Sequence, residues 1–222
     1  MFVKICGVTN EDDALLAVAL GADAVGFVFA PSPRQIAVQK VYDITRRLPP
    51  EVLTVGVFRD EHPRRVVEMV HQAGLKAAQL HGHESAAVVA EVSRHVRTVI
   101  KSVVAGTVDA SRADQFGTPV VLLDAPAPGS GDVFDWRLAG EVPGGVNLIL
   151  AGGLTPDNVA AGIAIVEPWG VDVASGVESA PGQKDPVLLR RFIENARGAF
   201  ALLDEAPRRR GDGAEPYDWR DE

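Results

Sequence analysis

Eight apolar runs of strand length recur along the chain, at residues 2–6, 23–29, 52–58, 77–80, 98–103, 120–123, 148–151 and 171–174. They are rich in β-branched side chains and often apolar at consecutive positions, as parallel strands covered on both faces require. Between them the pattern switches to a helical period. Ala14, Leu15 and Val18 share one face of a predicted helix, as do Val66, Val67 and Val70. Leu188, Leu189, Phe192, Ile193 and Ala196 carry the same pattern into a third turn. Thr155-Pro156 and Asp185-Pro186 each offer an N-cap followed by proline at the first helical position. Gly21 and Gly74 supply stops for the first and third helices.

Strands alternating with helices admit a closed (β/α)8 barrel or an open doubly wound sheet. No Gly-x-Gly-x-x-Gly follows the first run, so the dinucleotide-type open sheet loses its main support. The expected fold is α/β, a single-domain (β/α)8 TIM barrel over residues 1–203. Residues 204–222, with Arg208-Arg209-Arg210, Gly211, Gly213 and several acidic side chains, read as a polar C-terminal tail, disordered in solution.

Composition narrows the partners. A chain of 222 residues, 46% of them apolar, is enough for one barrel core. The net charge of −8 argues against nucleic acid or an anionic membrane as the main partner. A small anionic ligand stays open, because a local phosphate site needs only amides and one or two cations. No apolar run approaches the length of a membrane span. Phe2-Val3-Lys4-Ile5 reads as a core strand, not a signal peptide. A single cysteine leaves no intramolecular disulfide. The expected location is the cytoplasm.

In barrels, polar residues at the C-terminal ends of strands face the reaction centre. Those ends supply Cys6, Arg34 just beyond the second run, His81, Asp124, Gly152-Gly153 and Ser175-Gly176. A free cysteine commonly packs as a small hydrophobe, but Gly7 beside Cys6 allows close approach of a ligand. Asp124 either caps the loop that follows or serves as a general acid, with an apolar strand behind it that disfavours the charged carboxylate. Glycine turns after the seventh and eighth runs match the phosphate site of barrels, built from backbone N–H groups and a helix N-terminus. Arg34 sits in the stiff loop Pro31-Ser32-Pro33-Arg34 and can hold a carboxylate bidentately. His81 either lines the pocket or hydrogen-bonds a loop, and His83, beyond the strand end, is expected to be exposed. The histidines at 62, 71, 81, 83 and 95 do not fall at separate strand ends with partner carboxylates, so no metal is expected.

Together these residues resemble the phosphoribosylanthranilate isomerase family. The matching stretches include Lys4-Ile5-Cys6-Gly7-Val8-Thr9, Gln79-Leu80-His81-Gly82, Leu122-Leu123-Asp124 and Phe134-Asp135-Trp136. Ala151-Gly152-Gly153-Leu154-Thr155-Pro156-Asp157-Asn158 and Val171-Asp172-Val173-Ala174-Ser175-Gly176-Val177-Glu178 complete the set. The resemblance implies an aldose–ketose isomerase of tryptophan biosynthesis, working without metal or organic cofactor on a small phosphosugar, as a monomer or homodimer. Carried over by position, Cys6 is the general base and Asp124 the general acid. Arg34 binds the anthranilate carboxylate, Gly152, Gly153, Ser175 and Gly176 hold the phosphate, and His81 and Asp172 also touch substrate. A thiol acting as base is expected to have its pKa lowered toward neutrality. Gln35 stands where many relatives carry an aromatic residue, and residues 125–133 form a loop expected to cover the substrate.

Two rivals are weighed against this reading. A dual-substrate isomerase that also serves histidine biosynthesis usually has an aspartate where Cys6 stands. A non-catalytic phosphosugar-binding barrel would leave Cys6 and Asp124 without work. Phosphopentose epimerase chemistry would require a metal-binding set that the sequence lacks.

Overall fold

The structure is a computed structural model that describes residues 1–126 and 134–205. Of the expected tail, residues 204 and 205 belong to the last helix and residues 206–222 lie outside the described residues, as do residues 127–133 of the covering loop. Eight parallel strands close into a barrel: β1 (Phe2–Ile5), β2 (Ala24–Val28), β3 (Leu53–Phe58), β4 (Ala77–Leu80), β5 (Thr98–Val104), β6 (Val120–Asp124), β7 (Asn147–Leu150) and β8 (Gly170–Val173). Each pairs with its neighbours in chain order, and β8 closes on β1 through Phe2↔Gly170 to Ile5↔Val173. The apolar runs match these strands to within a residue at either end.

Alternation along each strand divides the core in two. One set, including Phe2, Ala24, Val55, Ile100, Leu122 and Ile149, packs inside the barrel. The other, including Val3, Ile5, Val25, Phe27 and Leu123, packs against helix residues such as Ala14, Val41 and Val66. This parity places a further set of side chains inward. Lys4 and Cys6 continue the face of Phe2, and Asp124 continues that of Leu122.

The helices are α1 (Glu11–Ala19), α2 (Val38–Thr45), α3 (Pro63–Gln72), α4 (Ala86–Ser93), α5 (Val159–Val166) and α6 (Pro186–Glu205). Asn10 Oδ1 caps α1 by accepting from Asp13 N at 2.8 Å. Gly21 and Gly74 follow the ends of α1 and α3 with φ of 99° and 63°, the left-handed geometry expected of those stops. Asp185 Oδ1 accepts from the amides of Val187 and Leu188 at 2.8 and 2.9 Å, as an N-cap before Pro186 should.

Three features depart from the sequence pattern. α5 begins at Val159, not after Thr155-Pro156, because Asn158 Oδ1 accepts from Thr155 N at 2.8 Å and closes a separate turn first. Short 3₁₀ segments, Ala110–Phe116 and Trp136–Glu141, stand where the fifth and sixth helices belong. The first is broken at Arg112, whose φ is −126°, and stopped by Gly117 with φ of 71°. The second runs into Pro143-Gly144-Gly145, which cannot prolong a helix. Finally, β9 (Glu178–Ala180) and β10 (Gln183–Lys184) form a small antiparallel hairpin after β8. Its strands are too short and polar to show alternation.

Candidate active site

A cavity of about 490 Å³ opens at the C-terminal ends of the strands. Cys6, Arg34, His81, Asp124, Gly152, Gly153, Asp172 and Ser175 all line it. Of the residues assigned to the site from sequence, Gly176 is the one outside this lining. A Cβ there would overlap the Leu154 carbonyl oxygen, so Gly176 serves by letting the loops after β7 and β8 touch backbone to backbone. His83 points away, its side chain 86% exposed. A separate hollow of about 450 Å³, lined by Leu53, Lys76 and Thr98 among others, lies at the N-terminal ends of β3 to β5. That face of a barrel carries stability rather than chemistry.

Cys6 is buried at the end of β1. Two residues earlier on the same face lies Lys4, wholly buried, with Nζ 2.8 Å from Asp172 Oδ1. Gly26 on the neighbouring strand makes room for both heads. A Cβ there would stand 2.9 Å from Cys6 Sγ and 3.1 Å from Lys4 Nζ. Burial pushes the Cys6 thiol up, the Lys4 ammonium pulls it back, and the Asp172 carboxylate pushes it up again. The net direction is upward, opposite to the lowering expected from sequence, because the strand end is dry as well as charged.

Asp124 ends β6, across the barrel from β1. Its Oδ1 accepts from Ala125 N at 2.8 Å, and its Oδ2 lies 3.1 Å from His81 Nε2. His81 is oriented from below. Gln79 Nε2 lies 2.9 Å from His81 Nδ1 and donates to Ser102 Oγ at 3.1 Å. His81 thus both bonds Asp124 and lines the pocket.

Arg34 is held by a carboxylate of the same chain. Its Nε and Nη2 donate to the two carboxylate oxygens of Glu178 at 2.8 and 2.7 Å. Glu178 also receives Lys184 Nζ at 2.9 Å. Burial works to raise the Glu178 pKa, yet Arg34 and Lys184 together hold it below the usual carboxylate range. The Arg34 stem lies across Gly7, whose φ is 71°, and a Cβ at that position would come 2.5 Å from Arg34 Cδ. Gln35 turns back to the strand end, donating from Nε2 to Phe29 O at 2.8 Å.

The glycine turns after β7 and β8 present backbone amides to the cavity. Gly152 and Gly153 have φ of 78° and 67°. Asn158 Nδ2 donates to Gly153 O at 2.9 Å, which ties the carbonyl of that turn to the start of α5. Among the described residues, no acceptor takes the amides of Gly153 or Ser175. Backbone amides of this kind beside a cavity are chemically suited to an anion. Among the described residues, no group of three or more His, Cys, Asp or Glu is arranged to hold a metal ion, and no helix is long and apolar enough to cross a membrane.

Strand-end reading missed Lys4, Gln79, Glu178 and the positioning role of Asn158. Lys4 and Gln79 carry a visible signal, since each is two residues before a strand-end candidate and so lies on the same inward face.

Comparison with known proteins places this geometry. A family model described as N-(5′-phosphoribosyl)anthranilate (PRA) isomerase matches residues 3–195. The N-(5′-phosphoribosyl)anthranilate isomerase of Desulforudis audaxviator is 49% identical over 206 residues, covering 89% of this chain and 98% of that protein. The crystal structure of phosphoribosyl anthranilate isomerase from Thermus thermophilus superposes with a TM-score of 0.84 at 40% identity, over 89% of this chain and 99% of the other. A further such isomerase, solved in complex with reduced 1-(o-carboxyphenylamino)-1-deoxyribulose 5-phosphate, matches with a TM-score of 0.79 at 40% identity, over 89% and 99% of the two chains.

Proposed function

The chain belongs to the N-(5′-phosphoribosyl)anthranilate isomerase family, and we infer that its Cys6 and Asp124 carry the proton transfers of that reaction. It converts N-(5′-phosphoribosyl)anthranilate to 1-(2-carboxyphenylamino)-1-deoxyribulose 5-phosphate in tryptophan biosynthesis. The observation that carries the assignment is that a thiol at the end of β1 and a carboxyl on β6 line one cavity, with an arginine and two amides that have no acceptor among the described residues around its rim.

The chemistry needs a proton donor and a proton acceptor on different sides of the sugar. Asp124 gives a proton to the ring oxygen as the C1′–O bond breaks, and the anilino nitrogen lone pair forms the C1′=N iminium. Cys6, as thiolate, then removes the C2′ proton. The C2′–H electron pair becomes the C1′=C2′ bond, and the iminium π pair returns to nitrogen. The resulting enolamine ketonises by losing the O2′ proton and gaining one at C1′. A proton passing from Cys6 to Asp124 through solvent resets the pair. Each positioned transfer contributes about 10²–10⁴-fold. The raised thiol of the free protein is compatible with this order, because the cationic iminium forms beside it before it must act.

Binding follows from the same geometry. The free edge of the Arg34 guanidinium suits the anthranilate carboxylate, and the amides of Gly153 and Ser175 suit the phosphate. Asp172 and His81 line the space between. The test is turnover by the purified protein of freshly made N-(5′-phosphoribosyl)anthranilate and, separately, of the aminoaldose of histidine biosynthesis. Turnover of the first alone is expected, with rescue of a tryptophan-requiring strain that lacks this isomerase. Equal turnover of both would replace this reading with the dual-substrate one.

A further inference from the structure

Lys4 presents a puzzle that the reaction as written does not use. It is a wholly buried ammonium inside the barrel, one layer beneath the cavity, and its single carboxylate partner is Asp172 Oδ1 at 2.8 Å. A buried ion pair seldom repays the desolvation of both charges, so stability alone is a poor reason to keep one here. An ammonium also has three N–H donors, and Asp172 takes only one of them. What lies above is the thiol. Lys4 and Cys6 are two residues apart on one strand face, and both heads converge on the space left by the missing side chain of Gly26, at 3.1 and 2.9 Å from where its Cβ would be.

The geometry points to Lys4 as a positioning residue whose ammonium, held upright by Asp172, steadies Cys6 in the thiolate form that removes the substrate proton. This deepens the assignment of Cys6 as base and rests on it. Gly26 belongs to the same device, since any side chain there would strike Sγ or Nζ.

The other charged groups around the thiol do not replace Lys4. Lys184, on β10, and Arg34, in the loop after β2, are both spoken for by Glu178. Asp172, on β8, opposes ionisation of the thiol. His81 and Asp124 line the cavity from β4 and β6 and bond each other. Lys4 is also the largest charge influence on the thiol, and the thiol in turn helps to hold Lys4 protonated.

Cys6 is the chain's one cysteine, so its reactivity can be read directly. The experiment follows iodoacetamide alkylation of the full chain against pH for the parent, Lys4→Met, Asp172→Asn and Lys4→Met/Asp172→Asn. Circular dichroism confirms that each variant is folded. Lys4→Met should shift the alkylation profile to higher pH and slow the reaction near neutrality about 10-fold or more, one pKa unit being tenfold in thiolate. Asp172→Asn should shift it the other way. Should Lys4→Met alone leave Asp172 uncompensated and fail to fold, the double variant set against Asp172→Asn isolates the loss of Lys4. Its profile should lie at higher pH than that of Asp172→Asn, and coincident profiles would overturn the inference. Opposite shifts are something general loosening of the site would not produce. Unchanged profiles, or shifts of the same sign in Lys4→Met and Asp172→Asn, would overturn the inference. Parental turnover by Cys6→Ala would instead remove the base assignment, while the alkylation profiles still judge Lys4.

Discussion

His81 Nε2 lies 3.1 Å from Asp124 Oδ2, while Gln79 Nε2 lies 2.9 Å from the other ring nitrogen of the same histidine. The imidazole therefore bridges the Asp124 carboxyl on one side and the Gln79 amide on the other. Ser102 takes the second N–H of the Gln79 amide at 3.1 Å, which stops it from turning. Asp124 is therefore one end of a side-chain chain that links the adjacent strands β4, β5 and β6.

A chain of this kind acts as a unit. Asp124→Asn should lower kcat at least ~100-fold, and His81→Ala about 10-fold. The double variant should be no slower than Asp124→Asn alone, because the histidine works through the acid it orients. Steady-state kinetics of the three proteins check this. Multiplied losses in the double variant would show two independent roles.

Arg34 should behave differently, since the role proposed for it is binding. Arg34→Ala should raise KM much more than it lowers kcat, as loss of contacts made equally in ground and transition states does. Glu178→Gln should show a weaker form of the same effect, because the guanidinium loses the partner of its Nε and Nη2. An unchanged KM in Arg34→Ala would remove that residue from the site.

Gly176→Ala tests how the two phosphate-side loops meet. The new methyl would overlap the Leu154 carbonyl, forcing the loops after β7 and β8 apart. Overpacking of this kind costs about 1–3 kcal/mol, visible as a lower Tm, and should weaken binding of inorganic phosphate as well. A variant with parental Tm would mean that the loops are not in contact in solution.

The cluster of Arg34, Glu178 and Lys184 sets a pH dependence of stability. Glu178 has a folded pKa below its unfolded value of about 4.3, so the unfolded chain binds more protons in that window. Its contribution is full above about pH 4.3 and is lost as pH falls through the lowered folded value. Thermal melts between about pH 6 and pH 3 should show a smaller acid loss for Glu178→Gln than for the parent. Parallel losses would contradict the assignment.

The barrel was legible because most positions on both faces of the strands are apolar. Val120-Val121-Leu122-Leu123 needs no context to be read as a buried strand. The strand-end rule then located Cys6, His81 and Asp124 without geometry. It did not reach one layer deeper, where Lys4 and Gln79 reveal themselves only once strand parity is followed inward from Cys6 and His81. Other parts left no local signal. Glu178 meets Arg34 across 144 positions of chain, a contact that closure of the barrel creates. Asn158 reads as an ordinary loop residue until its two hydrogen bonds, to Thr155 N and Gly153 O, are seen to delay α5. The direction of the Cys6 shift was missed for a related reason. Burial and three charges from different strands act on the thiol together, and none is adjacent in sequence except through Lys4.

The central claim is that a thiolate on β1 takes the proton from C2′ of a bound pentose. The most direct measurement is turnover of N-(5′-phosphoribosyl)anthranilate by Cys6→Ala, paired with its affinity for reduced 1-(o-carboxyphenylamino)-1-deoxyribulose 5-phosphate. Turnover at least ~100-fold below the parent with affinity for the analogue retained is the predicted outcome. Near-parental turnover by a folded Cys6→Ala protein would contradict it.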